Sequence, residues 1–178
     1  MVSMRLFIAD DHEIVRFGLR TLLETQYGWT VIGESADGKE AVEMVLERKP
    51  DVTLLDISMP RLSGLEAARQ ILARGSRTKI LMLSAHDSDA VIEQVLDSGA
   101  RGFVLKTDAA RDLIAAVDAV RSNQTFFTPR VAQVVLDRHM KRVQEYAARE
   151  ENALRKSASA GGIESMVKDV EKQSRSRR

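Results

Sequence analysis

Pro50 to Pro60 reads PDVTLLDISMP. Val52 to Leu55 is a short apolar run, too short for a helix and rich enough in β-formers for a buried strand. Asp56 ends it. Burying an unpaired carboxylate is costly, which places Asp56 where the C-terminal end of the strand meets solvent. In an open parallel sheet that edge is where ligands bind. Met59, Pro60 and Gly64 mark the loop beyond it. Two readings of Asp56 stand at this point: the chemical centre of the molecule, or a polar strand terminus.

The flanking sequence repeats the same unit. Arg5 to Ala9 reads as a strand followed at once by Asp10, Asp11 and His12, then by a helical pattern over Ile14 to Thr25. Thr30 to Gly33 is a weaker strand, and Asp37 opens a helix that ends before Pro50. After the central strand, Leu65 to Leu72 is a helix opened by Gly64. Lys79 to Leu83 is a strand closing on Ser84, and Asp87 to Leu96 a helix. Phe103 to Leu105 is a very short strand closing on Lys106, and Asp108 to Val120 is a helix with apolar groups at Leu113, Ile114, Val117 and Val120. Strand and helix alternate five times. That rhythm predicts an α/β fold: a doubly wound, five-stranded parallel sheet with helices on both faces, followed by a helical C-terminal extension.

Composition narrows the function. A chain of 178 residues suffices for one well-packed α/β domain and an appendage, not for two domains of ordinary size. The absence of cysteine removes disulfide and thiol chemistry. The N-terminus has neither an apolar h-region nor a small-residue cleavage site, and no apolar run is long enough to span a bilayer, so a cytoplasmic protein without membrane contact is expected. The net charge of +1 is unevenly spread. Residues 138–178 hold eleven Lys or Arg against six Asp or Glu, or +5, leaving −4 on residues 1–137.

A parallel sheet gathers its strand ends on one edge. Asp10, Asp11, Asp56, Ser84 and Lys106 would then meet there. Three carboxylates in one pocket repel one another and need a cation. With no cysteine and no His-rich spacing, oxygen ligands point to Mg²⁺, with Mn²⁺ as the other choice. A carboxylate beside such an ion and a fixed lysine is placed to accept a phosphoryl group.

Over about residues 3–122 the sequence resembles the receiver domain of bacterial two-component response regulators (CheY-like), and in particular those that precede a LuxR/NarL-type helix-turn-helix. The resemblance rests on FIADDHEIVRFGLRTLL, DVTLLDISMPRLSGLEAARQI and ILMLSAHDSDAVIEQVLDSGARGFVLK, in that order and spacing. It implies a flavodoxin/CheY-like sheet in the strand order 2-1-3-4-5, with Asp56 as the phosphoacceptor. Asp10 and Asp11 correspond to the metal-binding acidic pair, Asp11 being the more direct ligand, and the main-chain carbonyl of Ser58 completes the protein's ligands with Asp56. Ser84 corresponds to the switch hydroxyl, Lys106 to the phosphate-contacting lysine and Phe103 to the aromatic switch position, which turns inward on phosphorylation. Thr107 stands where many receivers carry proline. The resemblance further implies a cognate histidine kinase as donor, self-phosphorylation with slow self-dephosphorylation rather than enzyme turnover, and signalling through the face of the fourth and fifth helices to a partner or a second copy.

Each residue also has a plainer use. Asp10 suits a strand end, Asp11 a helix cap, Ser84 a cap for the helix near Asp87, Phe103 a core position, and His12 a turn beside the acidic pair. His86 lies in the loop after Ser84, where it bears on access to Asp56. A phosphohydrolase of haloacid-dehalogenase type requires a second Asp two residues after its nucleophile; here that residue is Ser58.

The C-terminal part departs from the LuxR/NarL pattern. Residues 130–178 lack an LTxRExEVL-like opening and helix-turn-helix spacing. The expected division is a receiver over 1–124, a helical extension over 125–156 and a basic, disordered tail over 157–178, with Ser157 to Gly162 linker-like in composition. Thr128 and Pro129 suit a helix start, and the helix is expected to reach about residue 152. It would dock on the receiver, a second copy or a partner. The alternative is a DNA-binding transcriptional regulator whose output domain is truncated or degenerate.

Overall fold

The computed structural model describes residues 3–175, with side chains described through 153 and at 156. The strands are β1 (Met4–Ala9), β2 (Trp29–Ser35), β3 (Val52–Asp56), β4 (Lys79–Ser84) and β5 (Gly102–Leu105). The helices are α1 (Glu13–Glu24), α2 (Gly38–Arg48), α3 (Gly64–Ala73), α4 (Asp89–Asp97), α5 (Ala109–Arg121) and α6 (Pro129–Arg175), with a single 3-10 turn at Lys106–Asp108 before α5. All strand pairs are parallel, as the alternation predicts, and the order is β2-β1-β3-β4-β5, as the resemblance implies.

β3 is buried along its whole length because both faces of the sheet are covered. Val52 and Leu54 face a core shared with Leu19 and Leu23 of α1 and with Leu113, Val117 and Val120 of α5. Leu55 faces the opposite core, built from Val42 and Val45 of α2, Ala68 and Ile71 of α3, and Ile92 and Val95 of α4. Truncating Leu54 or Leu55 to alanine at such sites costs about 2–5 kcal/mol.

Helix starts follow the expected chemistry. Asp37 accepts the Glu40 N–H, Ser63 that of Glu66 and Ser88 that of Val91. α4 thus begins one residue beyond Ser88, slightly later than the expected start at Asp87. Gly64 is required by position: its N–H donates to the Ile57 carbonyl at 3.0 Å, and a Cβ there would overlap the main-chain carbonyl of Asp56. The loop 57–63 therefore folds back against the end of β3 and holds Asp56 in place.

The chain divides into a unit over residues 1–134 and a second over 135–178. The first includes the opening of α6, where Val131 and Val134 are buried in the core that holds Ile92 and Val95 of α4. Phe126, in the β-prone stretch before it, makes one parallel bridge to Gly102. The second unit is helix through Arg175, so α6 runs through the segment read as a linker and a disordered tail. Alanines and charged residues with good helix propensity dominate there, and the roughly 1 kcal/mol that each of Gly161 and Gly162 costs a helix weakens the element without forbidding it.

Candidate functional site

The site lies at the C-terminal ends of β1, β3, β4 and β5. The Asp10 N–H donates to the Ser35 carbonyl at 3.1 Å and the Ile57 N–H to the Leu83 carbonyl at 3.0 Å, so both carboxyl-bearing strand ends stay in sheet register to their last residue. Asp10 is fully buried and Asp56 nearly so, whereas Asp11 is exposed. The backbone of Asp10 is fixed from its other side by Arg16, whose guanidinium donates to the Asp10 carbonyl at 2.7 Å.

Lys106 stands between the two buried acids. Its ammonium is 2.7 Å from Asp10 Oδ2 and 3.0 Å from Asp56 Oδ2. These contacts are ion pairs: neither oxygen receives a well-directed hydrogen bond. Burial pushes the Asp56 carboxyl above the usual aspartate range and the Asp10 charge adds to that push, against the opposing pull of Lys106 and of the Ser58 main chain. Burial alone would lower the Lys106 ammonium, but the two carboxylates outweigh it and hold the lysine protonated above its ordinary range.

Asp10, Asp11, His12 and Asp56 each place one potential ligand atom within 4.8 Å of the others. Three carboxylates thus face one ammonium, and two buried carboxylate oxygens lack a directed donor. That excess of negative charge and spare acceptor capacity fits a divalent cation with oxygen ligands. His12 is the member that the spacing of the sequence did not single out. Its Nδ1 is 2.8 Å from Asp11 Oδ1 and 3.2 Å from Asp10 Oδ1, while its N–H donates to Asp10 Oδ1 at 2.9 Å.

The remaining sequence candidates lie around this centre. Ser84 is buried at the end of β4, with its hydroxyl closed on its own loop: Oγ donates to the His86 carbonyl at 2.7 Å and accepts the His86 N–H at 3.0 Å. Ser58 is exposed in the loop after β3, with its main chain against the Asp56 carboxylate. Phe103 stands apart from the acidic cluster. Its ring is already buried, in the same core cluster as Val131 and Val134, so an inward turn has no outward starting position in this structure.

Comparison with known proteins gives the class. The model of the response regulator receiver domain matches residues 6–118, and the chain belongs to that family. Within it, the chain is similar to LuxR/NarL-type regulators. It is 35% identical over 143 residues to the transcriptional regulatory protein DegU of Brevibacillus brevis, an alignment that takes in 80% of this chain and 61% of DegU. A LuxR-family two-component response regulator from Aurantimonas sp. SI85-9A1 superposes with a TM-score of 0.71 at 31% identity, over 78% of this chain and 99% of that one. The signal receiver domain of the response regulator NarL from Mycobacterium tuberculosis gives a TM-score of 0.67 at 33% identity, over 70% and 100% of the two chains. As a receiver domain the chain is classed with self-phosphorylating switches rather than with enzymes that turn over a separate substrate. Among the described residues, no helix is long and apolar enough to cross a membrane, and those from 129 onward form one helix rather than a helix-turn-helix.

Proposed function

We propose that this chain is the phosphorylation-dependent switch of a two-component phosphorelay, and that Asp56 is its acceptor. The observation that carries the reading is the placement of Asp56: a largely buried carboxylate at the end of the central strand, 3.0 Å from Lys106 and within reach of Asp10. An oxygen of Asp56 attacks the phosphorus of a phosphohistidine on a sensor histidine kinase, or of a small donor such as acetyl phosphate. The new P–O bond forms as the donor's P–N or P–O bond breaks, and the leaving imidazole or carboxylate keeps the electron pair. Lys106, held protonated by its two acids, then pairs with the phosphoryl oxygens. Asp10, Asp11, Asp56 and the Ser58 carbonyl would hold Mg²⁺, or Mn²⁺, which when bound supplies positive charge to offset that of the transferring phosphoryl group.

For Ser84 to reach the new oxygens its hydroxyl must leave the His86 carbonyl. That rearranges the loop between β4 and α4, and the loop is tied to α6 through Arg130. The signal would pass to the face of α4, β5 and α5 and to the start of α6, with Phe103 as a packed neighbour of the change. The receiver over 1–124 would be the input, the helix beyond it the output, and a downstream protein or a second copy of the chain the recipient. Such a switch works in the cytoplasm beside its kinase.

The test is phosphoryl incorporation from acetyl phosphate with Mg²⁺, read by intact mass, in the wild type and in Asp56→Asn. One phosphoryl group on the first and none on the second is the expected result. A second reading, DNA-binding transcriptional control, is favoured by the name of DegU, of which this chain spans 61%. Phosphorylation-dependent binding to duplex DNA at physiological salt would support it.

A further inference from the structure

The opposite edge of the sheet carries a second feature. A cleft of about 610 Å³ opens where β3 and β4 begin, between the ends of α2 and α3. Lys49, Arg74, Arg77, Lys79 and Arg121 line it against a single acid, Asp51. The body that carries this cleft is itself acidic, at −4 over residues 1–137 by the count above. Five of the sixteen Lys and Arg residues of that acidic body line this one cleft.

Neighbouring cations show what structural duty looks like. Arg5 donates to the Arg48 and Lys49 carbonyls at 2.6 and 3.2 Å and so satisfies the end of α2, and Arg48 donates to the Ile32 carbonyl. Lys49, Arg74, Arg77 and Lys79 enter none of the ion pairs among the described residues. Asp51 accepts the Arg5 main-chain N–H at 2.8 Å and is the one carboxylate facing the five cations. The floor is rigid: Thr78 is buried, its hydroxyl 2.7 Å from that of Thr53 inside β3. Leu46 and Pro50 add apolar wall. Cations gathered in a concave surface focus potential and recruit anions. The volume suits a small ligand with several charges and one apolar part.

We propose that this cleft binds a nucleotide carrying two or more phosphates, the cations taking the phosphates and the Leu46 and Pro50 wall the base. Arginine and lysine recognise phosphate by charge-assisted hydrogen bonds, with arginine able to do so through two at once. β3 and β4 start at this cleft and end at Asp56 and Ser84, so the two sites share strands while using separate residues.

The test is isothermal titration of the full chain with ADP in metal-free buffer, with adenosine, pyrophosphate and a random DNA duplex as comparisons and amide shifts to locate binding. The expected result is saturable one-to-one binding of ADP, tighter than adenosine or pyrophosphate and weakened by salt, with shifts at residues 49, 51 and 74–79. Arg74→Ser combined with Arg77→Ser, both exposed and outside any strand, should lower affinity about tenfold or more at unchanged thermal stability. Asp56→Asn should bind as the wild type does, so failure of the phosphoacceptor assignment leaves this result untouched. Absence of saturable ADP binding, shifts at the Asp10 and Asp56 end or on residues 138–178, or binding of duplex DNA in preference to ADP would each overturn the proposal.

Discussion

Arg130, the second residue of α6, donates through Nε to the main-chain carbonyl of Asp87 at 2.9 Å and lies 3.2 Å from the Asp87 carboxylate. Its guanidinium also reaches Asp89 at 3.3 Å. Asp87 is three residues from Ser84, so a single side chain ties the loop after β4 to the start of the long helix. Arg130→Ala should destabilise the chain by only about 1 kcal/mol, because the contacts are half exposed. Its larger effect should be on transmission. Amide shifts on beryllofluoride addition should still appear at residues 84–91 in the variant but fade at 131–134. Equal shifts in both proteins over 131–134 would remove Arg130 from the path.

Asp56 should weaken the metal-free fold at neutral pH. Its folded pKa is raised above the ordinary 3.8, first by burial and then by Asp10. A carboxyl with a raised folded pKa destabilises the native state above that pKa, and the penalty disappears below the unfolded value. Asp56→Asn, nearly isosteric and neutral, should therefore raise the melting temperature at pH 7 in chelator. The gain should shrink as pH falls through the raised pKa and vanish below about pH 3.8. Melting curves across that range check the sign.

Lys106 offsets two buried acids, so Lys106→Ala should lose about 2 kcal/mol in chelator, less than a wholly buried pair because the lysine is partly exposed. Saturating Mg²⁺ should recover most of that loss, since it binds only the native site. Phosphoryl incorporation should stay impaired even then, as the lysine contacts the anion. Urea midpoints with and without Mg²⁺ separate the two effects; equal loss of metal binding and phosphorylation would count against this role.

Asp37 works in the opposite direction to Asp56. Burial pushes its carboxyl up, but hydrogen bonds from Arg61 and from the Glu40 N–H outweigh burial and leave it below the ordinary range. Its contribution is present above pH 3.8 and is lost as pH falls through the lowered folded value. Asp37→Ala, which also removes the cap of α2, should cost about 1–2 kcal/mol at pH 7. The difference from wild type should narrow as pH falls below about 3.8 in urea titrations.

Much of this was legible in the sequence because the β-α rhythm alone fixes where strand ends go. Once Asp10, Asp56, Ser84 and Lys106 were each read as the residue closing a strand, a parallel sheet had to bring them to one edge, and it does. The order of the strands did not follow from the alternation, which fits more than one doubly wound order; it came with the resemblance to receiver domains. Contacts made by side chains from distant elements were not legible. Nothing in the local sequence says that Arg130 meets Asp87, that Arg61 meets Asp37, or that His12 turns its ring toward Asp10 and Asp11. The basic cleft was hidden for the same reason: Lys49 and Arg77 look like ordinary loop cations until β3 and β4 start side by side. Phe103 had two sequence readings, a core aromatic on β5 or an inward-turning switch, and its ring is buried in the core. The extent of α6 was obscured by mixed charge, which carries little local preference, and by the paired Gly161 and Gly162, which each cost a helix about 1 kcal/mol.

The most direct measurement is chemical mapping of the acceptor. The wild-type chain, treated with acetyl phosphate and Mg²⁺ and then with borohydride, converts an aspartyl phosphate to homoserine, which peptide mass spectrometry locates. Homoserine at position 56 alone, and none in Asp56→Asn, is the predicted result. Homoserine at position 10 or 11, or persistence of modification in Asp56→Asn, would contradict the assignment of Asp56 as the phosphoacceptor.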